Sequence, residues 1–225
     1  MVRACRWWIV ALLCTLLLAC SSAVRFQEDA IGTYTVRRGD TLYSIAWRNG
    51  LDWRSLAQWN GVSAPYSIAL GQKLRLTAPP AAGAARTAPA RAPSVPSSGP
   101  PSRLAWSWPA DGRVVAAFRD GSATGKGIDI AGVLGADVRA ASDGKVVYVG
   151  SGLVGYGKVI IVKHDDRYLS AYAHNDRFLV GEGDLVKRGQ RIAAMGIGSG
   201  QRPLLHFEIR LDGRAVDPAR LLPKR

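Results

Sequence analysis

The chain has 225 residues, enough for one or two modest domains, and its formal net charge of +13 is strongly basic. Such a charge often indicates a nucleic-acid ligand, but the N-terminus carries an export signal, so nucleic acid is not expected as a partner. Lipid head groups, wall polymers and acidic protein faces are the polyanions of the cell envelope. A solvated arginine-rich surface explains the charge equally well.

The N-terminal segment has the layout of a secretory signal. Arg3 and Arg6 precede an apolar run over residues 7–19, which is shorter than the roughly 20 residues that span a bilayer. The run ends in Leu-Leu-Ala-Cys, which resembles a bacterial lipobox with Cys20 as the acylated residue. The alternative is an ordinary cleaved signal with an incidental cysteine.

The lipobox resemblance implies a lipoprotein signal peptide over residues 1–19 and a lipidated tether over residues 20–33. The other two cysteines lie inside the removed segment, so no thiol is left for a disulfide. Several acyl chains anchor a protein in a membrane far more firmly than one. Ser21, rather than Asp, follows the cysteine, which indicates the outer membrane of a Gram-negative bacterium.

Residues 34–77 are predicted to form a strand, two helices and a second strand. Alternating apolar residues at both ends indicate short, half-buried strands. The pair Asp40-Thr41 and the single Asp52 offer N-caps for the two helices, and an Asn-Gly pair ends each helix. The pattern closely resembles the LysM module over the whole segment.

The resemblance to LysM implies binding of glycan that contains N-acetylglucosamine. Backbone and small polar groups beside an apolar floor suit such a ligand. Trp53 and Trp59 are interpreted as packing residues rather than as sugar platforms. The glycan-binding residues that the resemblance implies are Gly39, Asp40, Thr41, Leu42, Asn60 and Ile68.

Residues 78–104 are predicted to be a linker. Seven of the 12 prolines fall in this stretch, together with Ala, Ser, Gly and Arg and without an acidic residue. Such a composition cannot bury a core, so it predicts a semi-stiff spacer with a reach of roughly 80 Å.

Residues 105–225 are dense in glycine and in short β-rich runs, which predicts a mainly antiparallel β domain without an amphipathic helix. The fold class is therefore multidomain, with a small α+β module before this β domain. A weak echo between residues 144–150 and 189–196 suggests an internal duplication. The predicted strands cover residues 114–118, 127–131, 145–149, 158–164, 168–172, 191–195 and 206–211.

Three motifs in this domain resemble those of the lysostaphin-type (LytM) zinc peptidases, whose sheet is internally duplicated. They are Gly-Lys-Gly-Ile-Asp at 125–129, Tyr-Ala-His at 172–174 and Leu-Leu-His-Phe-Glu-Ile-Arg at 204–210. In the active family the first motif begins with a zinc-binding histidine, and the last contains His-x-His. This chain lacks one histidine in each of those two motifs.

An open catalytic zinc site needs about three protein ligands and one exchangeable water. By the resemblance, the ligand positions are Gly125, Asp129 and His206. Glycine has no donor atom, so only Asp129 and His206 remain as vestigial ligands. Of the two histidines that act on the attacking water and the transition state, His174 is kept and Leu204 replaces the other. Loss of an acid-base group costs about 10² to 10⁴ in rate. The resemblance therefore implies no catalytic residue, no metal and no cofactor.

A subgroup of LytM-like proteins, the amidase activators of the NlpD and EnvC type, has this eroded pattern. These proteins switch on separate zinc-dependent N-acetylmuramyl-L-alanine amidases during daughter-cell separation. The chain resembles the NlpD branch over nearly its whole mature length, which implies that the former active-site groove holds a regulatory helix of the amidase. The implied groove residues are Lys126, Asp129, Tyr156, Val159, Tyr172, His174, Leu204, His206 and Arg210.

Two alternatives remain open. One is a weak zinc endopeptidase rebuilt around Asp129, His206 and a substitute ligand. His164, at the end of a predicted strand, is a candidate for that ligand, but the resembled family often carries a histidine there that does not bind the metal, which implies a structural or surface role. The other alternative is a passive tether that joins the outer membrane to the wall through its lipid and its LysM module.

Overall fold

A computed structural model of the chain describes residues 32–79, 104–121 and 125–225. The predicted signal peptide, the lipid attachment at Cys20 and all but the ends of the predicted linker lie outside these residues. None of the helices in the described ranges has the length and apolar character needed to cross a membrane.

The N-terminal module forms the predicted strand-helix-helix-strand unit. Its elements are β1 (Thr33–Thr35), α1 (Leu42–Asn49), α2 (Trp53–Trp59) and β2 (Lys73–Arg75). The two strands pair in antiparallel fashion, with Tyr34 opposite Leu74. Apolar side chains of both helices pack on this ribbon and form the core of the module.

The local sequence explains where both helices begin and end. The Thr41 hydroxyl accepts a hydrogen bond from the Ser44 amide at 3.1 Å, and the Ser44 hydroxyl accepts one from the Thr41 amide at 3.0 Å. This reciprocal pair is a capping box. Gly50 then ends α1 in the left-handed conformation, which glycine adopts without steric cost. Asp52 caps α2 by accepting from the Ser55 amide at 3.1 Å.

The remaining described residues form a mainly antiparallel β domain, as predicted, with two short 3₁₀ turns. A large sheet has the strand order β10-β6-β7-β8-β12-β4-β3, with β13 also paired to β12, and a small sheet has the order β5-β11-β9. The strands are β3 (Val114–Ala116), β4 (Ile128–Ala131), β5 (Asp137–Arg139), β6 (Gly144–Gly150), β7 (Val159–Lys163), β8 (Tyr168–Ala173), β9 (Asn175–Phe178), β10 (Leu185–Val186), β11 (Arg191–Met195), β12 (Leu204–Leu211) and β13 (Arg214–Val216).

The side chains of the central strand β12 alternate between the two faces of the large sheet. Leu205, Phe207 and Ile209 are fully buried in an apolar core that also contains residues of the small sheet, such as Val138 and Ile192. Successive side chains in a strand point to opposite faces. The even-numbered residues of β12 therefore face away from this core.

That second face of the large sheet is partly covered by the N-terminal module. One apolar cluster joins Trp47 and Leu56 of the two helices with Val159, Ile161 and Ala171 of β7 and β8. Burial of a large apolar side chain contributes about 1.5–3 kcal/mol. The module and the β domain thus share a core, and both belong to a single compact unit.

Polar contacts reinforce this shared core. The Arg210 guanidinium carbon lies 3.6 Å from the Trp47 ring centroid, and Nη1 donates to the Trp47 carbonyl at 2.7 Å. Arg54 of α2 forms an ion pair with Asp212 at 2.8 Å. Asp212 also pairs with Arg167 at 2.8 Å. This one carboxylate therefore binds an arginine of the module and an arginine of the β domain.

Candidate functional site

Neighbouring strands bring Asp129 and His206 together on the second face of the large sheet. The two residues are directly opposite each other in the pairing of β4 with β12. Asp129 Oδ1 lies 2.6 Å from His206 Nδ1. A Cβ at Gly127 would lie only 2.9 Å from the carbonyl carbon of Phe207, so the motif needs a glycine here for β4 to approach β12.

His206 lies between two carboxylates. Its second ring nitrogen, Nε2, is 3.1 Å from Glu208 Oε1. Burial disfavours the charged ring, but hydrogen bonds to Asp129 and Glu208, together with their negative charges, raise the pKa of His206 to about 9. At neutral pH both ring nitrogens therefore carry protons, and both N–H groups donate hydrogen bonds to the carboxylates. Such an imidazolium has no lone pair for a metal ion.

Glu208 connects this histidine to the shared core beneath the module. Its carboxylate accepts from the Tyr156 hydroxyl at 2.6 Å and from Arg210 at 3.1 and 3.2 Å. Burial opposes ionisation, but the hydrogen bond from His206, the charge of Arg210 and the Tyr156 bond hold the pKa of Glu208 below its ordinary value. Glu208 is not among the residues predicted for the site, although an acidic residue between apolar strand positions was a signal for it.

The remaining positions of the former active site lie around this pair. The His174 ring centroid is 6.3 Å from that of His206, and burial and the positive charge of His206 lower the pKa of His174. The Leu204 side chain packs against Gly198, where a Cβ would also lie 3.1 Å from the His174 ring. Lys126 is half-buried at the start of the same motif as Asp129.

Four of the predicted groove residues are not available as an open surface, and the assignment of Tyr172 is a correction. Leu204 is only 6% exposed. Tyr172 is fully buried on the core face of the sheet, where its hydroxyl accepts from the Ala141 amide at 2.8 Å. Val159 is fully buried in the cluster shared with the module. Arg210, only 3% exposed, lies against Trp47.

His164 has a structural role, as expected. Its ring nitrogens lie 2.7 Å from the Asp143 carbonyl oxygen and 2.7 Å from the Ser170 hydroxyl. Trp106 packs edge-on against the ring at a centroid distance of 4.9 Å. Burial lowers the pKa of His164 to about 4, so the ring is neutral at physiological pH. These contacts lie away from Asp129.

Several predicted glycan-binding residues also hold the module together, and the burial of Leu42 corrects its assignment as a sugar contact. The Asp40 carboxylate accepts from the Tyr34 hydroxyl at 2.7 Å and from the Arg37 amide at 2.8 Å. Thr41 forms the helix cap, and Leu42 is buried in the module core.

Asn60 also has a structural role, and Gly39 and Ile68 are accessible. The Asn60 amide donates to the Leu56 carbonyl at 2.8 Å, and its oxygen accepts from the Arg75 amide at 2.7 Å. This bridge ties α2 to β2. Gly39 is exposed and Ile68 is half-buried, so both can still contact a ligand.

The donor set does not fit a catalytic zinc ion. Across residues 32–79, 104–121 and 125–225, no three His, Cys, Asp or Glu side chains are grouped so that they could hold a metal. Asp129 and His206 are the two surviving ligand types, and His206 is already protonated between carboxylates. A catalytic zinc site needs a third protein ligand and an unprotonated imidazole.

The comparisons with known proteins agree with the fold. Residues 34–77 match the LysM domain, and residues 123–218 match Peptidase family M23. The structure and these matches define a protein that joins a LysM module to an M23-type β domain.

Three relatives extend the similarity to nearly the whole chain. A lipoprotein NlpD/LppB homolog from Pseudomonas aeruginosa is 42% identical, over 98% of this chain and 93% of its own length. The murein hydrolase activator NlpD from Salmonella dublin is 40% identical, over 86% of this chain and 68% of its own. The lipoprotein YgeR from Escherichia coli is 41% identical, over 92% of this chain and 88% of its own length. The chain belongs to the NlpD/LppB family of lipoproteins.

Proposed function

We propose that the chain is a non-catalytic outer-membrane lipoprotein of a Gram-negative bacterium, anchored through Cys20. It binds peptidoglycan and activates zinc-dependent N-acetylmuramyl-L-alanine amidases when the septal wall is split between daughter cells. The name of its relative from Salmonella dublin, murein hydrolase activator, supports this proposal. The observation that carries it is the position of His206 between Asp129 and Glu208, at 2.6 and 3.1 Å.

The absence of catalysis follows from the chemistry of this arrangement. In a zinc peptidase the metal supplies the positive charge that polarises the attacking water. Here His206 pairs with the two carboxylates that face it, and Gly125 brings no side-chain donor. Leu204 cannot transfer a proton. The protein therefore functions without a resident zinc ion.

The open part of the site offers the chemistry that an amphipathic helix needs. Val154, which is 95% exposed, lies two residues before Tyr156, whose ring packs edge-on against His206. Ile197, which is 47% exposed, pairs with Pro203 beside Leu204. These apolar side chains lie on two loops next to Tyr156 and Leu204, which belong to the predicted groove. An incoming helix can bury its apolar face on them.

Lys126 adds a cation that can pair with an acidic residue of the partner. Activation then follows from differential affinity. A ligand shifts an amidase from a closed to an open state only to the extent that it binds the open state better. The chain needs no catalytic group of its own for this effect.

The experiment is dye release from labelled peptidoglycan with the mature chain and an amidase of the same organism. Ile197→Asp places a charge in the apolar contact and is expected to lower activation by about tenfold, as for a central interface residue. Leu179→Asp is the matched control, because Leu179 is 45% exposed on the same domain and does not flank the site. Equal activation by both variants would remove this docking surface from the proposal.

A further inference from the structure

A second cleft, with a volume of about 850 Å³, lies between the module and the β domain. This volume is in the range of small-ligand sites, about 300–1,000 Å³. It does not include Asp129 or His206. The module contributes Asp40, Thr41, Tyr43, Pro65, Tyr66, Ser67 and Ile68, and the facing wall comes mainly from β6, the end of β7 and the strand β10 with the loop before it.

The module wall has an aromatic floor. Tyr43 and Tyr66 both pack on Trp53, with ring centroids 5.0 and 4.9 Å from it, and are 6.3 Å from each other. Burial raises the pKa of Tyr43 to about 12, so its hydroxyl stays neutral and can both donate and accept hydrogen bonds. Ile68 extends the apolar surface. Such a surface suits the faces of sugar rings.

The domain wall is rich in lysine. Lys163 forms an ion pair with Asp166 at 2.9 Å and lies 4.9 Å from the Trp53 ring centroid. Lys187 pairs with Asp143 at 3.1 Å. Lys145 is exposed on β6 and forms no ion pair within the described residues. The domain wall therefore offers one cation whose charge no neighbouring carboxylate neutralises.

The carboxylates that line the cleft already have partners. Asp143 accepts from the Arg188 amide as well as from Lys187, and Glu182 accepts from the Val149 amide at 3.1 Å. Asp40 is held by Tyr34 and the Arg37 amide. Lys187 and Arg48 offset the charges of Asp143 and Asp40, so these two carboxylates repel an anionic ligand less than unpaired ones would.

We propose that this cleft is a composite site for peptidoglycan that carries its acidic substituents. The aromatic module wall binds a sugar ring, and Lys145 of the β domain binds a carboxylate of the stem peptide on the neighbouring muramic acid. The inference rests on the glycan-binding part of the proposed function and adds the M23-type domain as its second wall. An uncharged chitin oligomer would use the module wall alone.

The test is calorimetric binding of two probes of equal sugar length to the mature chain. One probe is a peptidoglycan oligomer with its stem peptides, and the other is a chitooligosaccharide. Lys145→Glu is expected to weaken binding of the peptidoglycan oligomer by about three- to tenfold, since it replaces an attraction with a repulsion. Binding of the chitooligosaccharide should change by less than about twofold.

Lys73→Glu is the matched control, because Lys73 is an exposed lysine of the module outside the cleft. Ile68→Asp, on the module wall, should weaken the binding of both probes. If Lys145→Glu and Lys73→Glu give equal affinities for the peptidoglycan oligomer, the composite site is wrong while glycan binding stands. If the unmodified chain binds neither probe, glycan binding itself fails.

Discussion

The guanidinium of Arg210 in β12 lies over the Trp47 ring of α1, donates to the Trp47 carbonyl and also hydrogen-bonds Glu208. This contact links the module to the carboxylate that orients His206. The Tyr156 ring extends the link, because it packs edge-on against both Trp47 and His206. The site and the module are therefore one packed structure.

The first prediction concerns Trp47. Because the module and the β domain share a core, the intact protein should unfold in a single transition, and Trp47→Ala should lower its stability by about 3–5 kcal/mol. Urea unfolding followed by fluorescence measures this. Trp59→Ala is the control, since Trp59 is only half-buried. Similar losses in the two variants would show that Trp47 has no special role at the interface.

The second prediction uses two glycines with almost the same backbone conformation. Gly213 has φ 79° and Gly135 has φ 81°. A Cβ at Gly213 would lie 2.6 Å from the Leu51 carbonyl carbon of the module, whereas one at Gly135 meets nothing within 4 Å. Both alanine variants carry the same left-handed strain of about 1 kcal/mol. Gly213→Ala should therefore lower the melting temperature more than Gly135→Ala, and equal shifts would contradict the close contact.

The third prediction is a pH dependence of stability. Burial lowers the folded-state pKa of His164 to about 4, against an ordinary value near 6.5. The unfolded chain then binds the extra proton first, so stability is full above pH 6.5 and falls as the pH decreases toward 4. The free energy of unfolding of His164→Gln should fall less over this window. Parallel curves for the two proteins would show that His164 is not buried as a neutral ring.

The fourth prediction restores a metal ligand. Gly125→His supplies the third donor beside Asp129 and His206, so this variant should bind one zinc ion per chain, with release of the His206 proton. Leu204→His is the control, because it adds an imidazole at a position that is not a zinc ligand in the resembled family. The zinc content after dialysis measures metal binding by both variants. Stoichiometric zinc in the unmodified protein would contradict the view that the donor set is incomplete.

The parts of the fold that could be predicted from the sequence are those with local signals, such as helix caps and apolar alternation. The caps at Thr41 and Asp52 and the glycine at 50 define both helices. The longer strands show a recognisable apolar pattern. The strands β5, β9, β10 and β13 have two to four residues each, too few for a period of two to be visible.

The site was harder to predict because it depends on a turn and on distant contacts. Tyr172 and His174 are two residues apart, so an unbroken strand would place them on one face. The strand β8 ends at Ala173, and His174 adopts φ 63°, which sends the two side chains to different sides of the sheet. Docking of the module over Arg210 joins positions 163 residues apart, and no local pattern encodes such a contact.

The most direct test of the central claim is the rate of dye release from purified peptidoglycan, measured for the mature chain alone and with an amidase of the same organism. The chain alone should release no dye, and the amidase rate should rise to a plateau as the chain is added. Zinc-dependent release by the chain alone, abolished in Asp129→Ala, would identify an endopeptidase instead. An amidase rate unchanged by the chain would contradict its role as an activator.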